Sequence, residues 1–174
     1  MKNRTLRQIT AAGVIAAAYA AISLVLAHIT FGAVQCRVSE ALTLLPVLSP
    51  TAIWGVTLGC AITNGVGAAT GANFLGMVDL FVGTAATLLA AVASRLLGKI
   101  RIGGAPWLSA LPPILFNAVA IGAEWCYAAT GSINVAFWAF AGQIALGQLP
   151  PCLLGVWLIH LLERRGLQNI IEGK

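Results

Sequence analysis

Apolar residues run in long blocks along this chain, broken by proline and glycine clusters and bounded by three groups of basic residues. A bilayer's hydrocarbon core is spanned by about 20 apolar residues rising 1.5 Å each as an α-helix. On that measure the blocks predict six helices, at about 6–28, 38–48, 51–69, 76–98, 107–129 and 134–163, before a short polar tail. The second ends at Pro46 and Pro50, because proline offers no N–H to the helix and clashes with the preceding turn. It is too short to cross the core as an α-helix, so it is expected to begin in the preceding loop, to tilt, or to enter only partway. A Gly-rich turn from Gly67 to Asn73 divides helices 3 and 4, and Pro112-Pro113 and Pro150-Pro151 are expected to kink helices 5 and 6. Neither strand alternation nor an internal repeat competes. The predicted fold class is an all-α integral membrane protein, a single transmembrane domain over 1–174 formed by a bundle of six helices, one short or broken.

Composition sharpens this picture. The 174 residues are 59% hydrophobic and 9% charged, against about 25% charged in a soluble domain, which leaves no room for a separate soluble catalytic domain. The net charge of +5 comes from Lys2, Arg4 and Arg7, from Arg95, Lys99 and Arg101, and from Arg164, Arg165 and Lys174. Basic clusters flanking apolar runs follow the positive-inside rule and predict that both termini are cytoplasmic. They form no basic face interleaved with aromatics, so nucleic acid is not an expected partner. The apolar run from Ile9 to Ala27 is longer than a signal-peptide core and reads as a retained first helix. Cys36, Cys60, Cys126 and Cys152 form no C-x-x-C pair, and His28 and His160 lie at ends of apolar runs, so no metal site is expected. Phosphate-loop, H-E-x-x-H and G-x-S-x-G motifs are all absent. The chain therefore reads as no enzyme and as needing no cofactor, and any ATP-driven motor belongs to another polypeptide.

Four ionisable residues stand out against this background: Arg37, Glu40, Asp79 and Glu124. A charge near the bilayer centre costs at least about 2.5 kcal/mol, so it is kept facing a protein interior, a partner or a ligand. With the basic clusters inside, these residues fall in the outer half of the bundle, joined by Asn64, by Asn117 near mid-membrane and by Gln143 in helix 6. That is a cavity open to the exterior, not a proton wire. Arg37 and Glu40, three apart, are placed to pair with each other, leaving Asp79 and Glu124 uncompensated. Carboxylates only accept hydrogen bonds, so the expected solute is small and rich in N–H donors, packed on rings such as Trp125, Trp138, Phe116 or Trp54. The structural alternatives are an Arg37–Glu40 pair that merely fixes the loop, an Asp79 that caps helix 4, and amides that bond across helices. Trp107 and Tyr127 read as interfacial anchors. Ala12, Ala16 and Ala20, with Ala17 and Ala21 beside them, let another helix approach closely, either inside the bundle or in a partner chain.

The stretch Gln35-Cys36-Arg37-Val38-Ser39-Glu40-Ala41 resembles the Q-x-R-x-S-E-A segment of the QueT family, substrate-specific S components of energy-coupling factor (ECF) transporters. Asp79 through Gly83, Pro112 through Asn117 with Glu124 following, and Gly142-Gln143 extend the likeness over nearly the whole chain. The resemblance implies capture of a queuosine precursor or related 7-deazaguanine at the outer face. It also implies docking onto a transmembrane coupling protein and two ATP-binding cassette ATPase subunits, with the alanines of helix 1 touching the coupling protein. On that reading Glu124 or Glu40 takes the base edge and Asp79 an amine. Two other classes remain open from residues alone. A self-contained proton-coupled carrier for a small amine or nucleobase-like solute is disfavoured by the missing repeat, and an intramembrane enzyme using two carboxylates lacks a nucleophile or metal set.

Overall fold

The computed structural model describes residues 2–32 and 34–166; Lys174 and the polar tail lie outside them. The elements in chain order are α1 (Lys2–Val25), a single turn α2 (Ala27–Thr30), the 3-10 helix η1 (Val38–Val47), α3 (Thr51–Thr70), α4 (Met77–Leu97), the 3-10 turn η2 (Trp107–Ala110), α5 (Leu111–Thr130) and α6 (Phe137–Arg164). Five segments are long and apolar enough to cross a membrane: α1, α3, α4, η2 with α5, and α6. Among the described residues there is no strand, only an isolated bridge between Ile102 and Ala105.

The sixth apolar segment differs from its expected form. It is a ten-residue 3-10 helix, and at about 2.0 Å per residue it reaches roughly 20 Å, longer than an α-helix of the same residues. Thr43 Oγ1 donates to the carbonyl of Glu40 three residues back, and Pro46 withholds an N–H near the far end. Arg95 Nη1 of α4 donates at 2.7 Å to the carbonyl of Pro46, in the last turn of η1, where carbonyls run out of helical donors. η1 is central: it packs against α6, α4, α1 and α3, and only Val38, Leu42 and Val47 of its ten residues are not fully buried.

Around its second half lies the main apolar core, with Leu44, Leu45, Ala52, Cys152, Val156 and Ile159 buried together. Helix α6 meets η1 closely at Gly155, where an added Cβ would sit 2.6 Å from the Ala41 carbonyl oxygen. Helix α1 lies on α3 in the same way, with the Gly55 and Gly59 positions facing the Ala12 and Ala16 carbonyl oxygens. Small residues replace hydrophobic drive as the means of helix association when the surroundings are equally apolar.

Pro112 and Pro113 do not kink α5. They occupy its first turn, where a missing N–H has no helical partner to lose. Pro150 and Pro151 sit inside α6, which continues to Arg164. Gly71 (φ 71°) and Gly131 (φ 73°) end α3 and α5 in the left-handed conformation.

Candidate substrate-binding site

The buried polar groups gather where the start of η1 meets α1, α3, α4 and α5. Arg37 is the extended residue preceding η1 and is 4% exposed. Its Nη2 lies 3.9 Å from Asp79 Oδ2 on α4, its Nη1 donates to Cys60 Sγ at 3.5 Å, and its guanidinium stands 5.6 Å above the Phe31 ring. Asp79 Oδ2 also accepts from Asn73 Nδ2 at 2.7 Å, while Asn64 Nδ2 donates to the Asp79 carbonyl at 2.9 Å. A side chain at Gly83 would collide with the Asp79 carboxylate and reach within 2.9 Å of the Asn64 amide, so glycine here is what admits the acid.

The expected Arg37–Glu40 pair is therefore corrected: the only carboxylate within ion-pair distance of Arg37 among the described residues is Asp79. Arg37 still has extended backbone and reaches outward to α4, whereas Glu40, inside the 3-10 turn, is directed to α1. Asp79 is not a helix cap either. Gly76 occupies that position, and no side chain caps α4; Asp79 is fully buried on its inner face.

Glu40 accepts a 2.6 Å hydrogen bond on Oε1 from the hydroxyl of Tyr19, and Asn117 of α5 lies close beside it. One turn further along α1, Ser23 and Ser39 share a 2.5 Å hydrogen bond. Tyr19 is fully buried and did not emerge from the sequence reading. Its signal was the spacing of Tyr19 and Ser23, two hydrogen-bonding side chains on one face of an otherwise alanine-rich helix. Glu40 Oε2 is buried without a partner in the protein.

Glu124 has neither carboxylate oxygen bonded to the protein, although both are buried. It lines a cleft of about 500 Å³ between α4 and α5, together with Phe74, Val78 and Tyr127, a volume in the range of small-molecule sites. The next residue, Trp125, is stacked between Phe74 (centroids 5.4 Å apart, planes 22° apart) and Phe140 (6.4 Å, 20°). Its indole N–H is buried and unpartnered. A buried group left unbonded costs about 1–3 kcal/mol, so a cluster of them calls for bonds from outside the protein chain, from water, an ion or a ligand.

The remaining predicted residues divide. Asn64 and Asn117 are buried; Asn64 makes the cross-helix bond described above and keeps Oδ1 unpartnered. Gln143 is exposed on α6 and does not join the cluster. Five residues on, Gln148 is buried to 2% exposure with Oε1 unpartnered. Of the suggested rings, Trp125 is at the cluster, whereas Trp54 and Trp138 are 68% and 74% exposed, and Phe116 lines a surface groove with Trp54. Ala16 and Ala20 are buried within the chain, Ala12 is half-buried, and the open flank of α1 carries Gly13, Ala17 and Ala21.

No curated protein and no solved structure matches the chain. A family model described as QueT transporter does match, over residues 9–164, a stretch that contains every residue of this cluster. With five helices able to cross a bilayer and that match over most of its length, the chain is a multi-pass membrane protein with a transport role and belongs to the QueT transporter family.

Proposed function

We propose that this chain is the substrate-capturing S component of an ECF-type importer and takes a queuosine precursor or related 7-deazaguanine from outside the cell. The observation that carries the reading is Glu124, a buried carboxylate with both oxygens unpartnered next to the Phe74–Trp125–Phe140 stack. A planar heterocycle packs well on stacked rings. The guanine edge presents an N–H and an NH₂ side by side, which a carboxylate accepts in parallel, and the Trp125 N–H supplies a donor for the neighbouring carbonyl. Asn64, Asn117 and Gln148 add further amides around the cluster.

The basic clusters support cytoplasmic termini, and with that orientation Glu124, near the far end of α5, faces toward the outside. Energy comes from a transmembrane coupling subunit and two ATP-binding cassette subunits, since the sequence has no phosphate loop of its own. Because Ala16 and Ala20 are committed to packing inside the chain, the coupling subunit meets α1 on its exposed Gly13, Ala17 and Ala21 flank.

The test is binding of 7-deazaguanines, riboflavin, thiamine and biotin to the purified chain, repeated with Glu124→Gln. Only the deazaguanines should bind, and the variant should lose about tenfold or more in affinity, as expected of a charged hydrogen bond. Failure of every deazaguanine to bind refutes the substrate. Uptake into proteoliposomes holding this chain alone, driven by a pH gradient, refutes the S-component role.

A further inference from the structure

The three carboxylates of the cluster are not equivalent acceptors. Asp79 has Oδ2 engaged by Asn73 and faced by Arg37, while its Oδ1 lies against the α4 backbone at Gly83, beside the Asn64 amide. Its Oδ1, like Glu40 Oε2, has no hydrogen-bond partner; what sets Asp79 apart is that its charge is already faced by Arg37 at 3.9 Å. Glu40 has one oxygen occupied by the Tyr19 hydroxyl at 2.6 Å and one unpartnered. Glu124 has two unpartnered oxygens.

We infer that these acids divide the ligand between them: Glu124 takes a pair of parallel donors, Glu40 takes one donor only, and Tyr19 is the positioning residue that enforces this limit. A carboxylate with one oxygen held by a phenol cannot embrace two parallel N–H groups, but its other oxygen suits a single N–H or an ammonium. The spacing fits such a ligand. Asn117, which lies beside Glu40, and Glu124 are seven residues apart on one face of α5, about 10 Å along the helix axis. That is comparable to the length of a fused bicyclic heterocycle bearing a one-carbon amine arm. Charge agrees as well. Arg37 offsets Asp79 and a cationic arm offsets Glu40, while the neutral paired-donor edge meets Glu124 through hydrogen bonds alone.

This division rests on the functional reading above and moves the amine from Asp79 to Glu40. Two ligand comparisons on purified protein test it. The first compares 7-deazaguanine with 7-deazahypoxanthine, which lacks the exocyclic amine and so presents one donor instead of two. The second compares the 7-aminomethyl with the 7-cyano derivative of 7-deazaguanine, which differ in the cationic arm.

Wild-type protein should prefer the first member of each pair by about tenfold or more. Glu124→Gln should abolish the edge preference and keep the arm preference; Glu40→Gln should do the reverse. Tyr19→Phe should reduce the arm preference about tenfold while leaving the edge preference intact, a selective change that a general loosening of the fold does not produce. The inference is overturned if Glu40→Gln removes the edge preference, if Asp79→Asn removes the arm preference while Glu40→Gln does not, or if Tyr19→Phe weakens all four ligands alike. Should Tyr19→Phe fail to fold, the two glutamine variants decide the division by themselves. If the wild type binds none of the four compounds, the substrate reading itself falls. If it binds them without either preference, only the division does.

Discussion

At its first turn η1 carries Ser39 and Glu40 into hydrogen bonds with Ser23 and Tyr19 of α1, whereas from Leu44 onward the same helix is packed among Ala52, Cys152, Val156 and Ile159. One half is held by directional bonds, several of them unfinished: Glu40 Oε2, Arg37 Nη2, Asp79 Oδ1 and Asn64 Oδ1 are all buried without hydrogen-bond partners. The other half is held by close packing, with a glycine of α6 admitting the η1 backbone. The contrast teaches where stability and function are lodged. Apolar packing has no reason to leave gaps, and a buried polar cluster with open valences is tolerated only where something else completes it.

This contrast breaks most severely at Arg37. Replacing it by Met strands Asp79 as a buried, unpaired charge and should cost about 3–5 kcal/mol, seen as a large fall in the thermal midpoint of the detergent-solubilised protein. Adding Asp79→Leu should recover most of that loss, and failure to do so would show that Arg37 acts through some other contact. Next in size is Leu44→Ala in the packed half, where Leu44 is fully buried. A cavity there should cost about 2–5 kcal/mol, yet leave the ligand affinity of the folded fraction unchanged, which calorimetry on the surviving protein can verify. Ser23→Ala removes the bond to Ser39 without touching an ionised group and should cost about 1 kcal/mol by the same melting assay. The smallest effect belongs to Arg101 and Glu163, paired at 2.7 and 2.9 Å but partly exposed, with side chains 33% and 23% accessible. Glu163→Gln should cost about 0.2–1 kcal/mol, and the difference should shrink in high salt.

Much of the fold was legible because a bilayer leaves little choice: twenty apolar residues bounded by basic clusters can hardly be anything but a spanning helix. The 3-10 form of η1 was not legible, since an apolar run does not say whether its carbonyls bond three or four residues ahead. That single ambiguity also misdirected the site. The i, i+3 spacing of Arg37 and Glu40 suggested a pair only on the assumption that both lie on one helix face, and Arg37 precedes the helix. The charged residues themselves were found, because charge in lipid is too costly to be incidental. Tyr19 was missed because an aromatic in an apolar run resembles filler, and Gln143 was named without Gln148 because depth along a helix does not say which face a residue occupies.

With three residues per turn, η1 is a three-sided prism whose edges do not drift. Glu40, Thr43 and Pro46 stand on one edge; the Glu40 carboxylate at its start receives the Tyr19 hydroxyl, and the main-chain carbonyl of Pro46 at its end receives Arg95. Val38, Ala41, Leu44 and Val47 form a wholly apolar edge. Inserting one residue after Glu40 would turn the acid by a third of a revolution relative to everything beyond it, so the segment's length acts as a combination lock in which every notch but one is wrong.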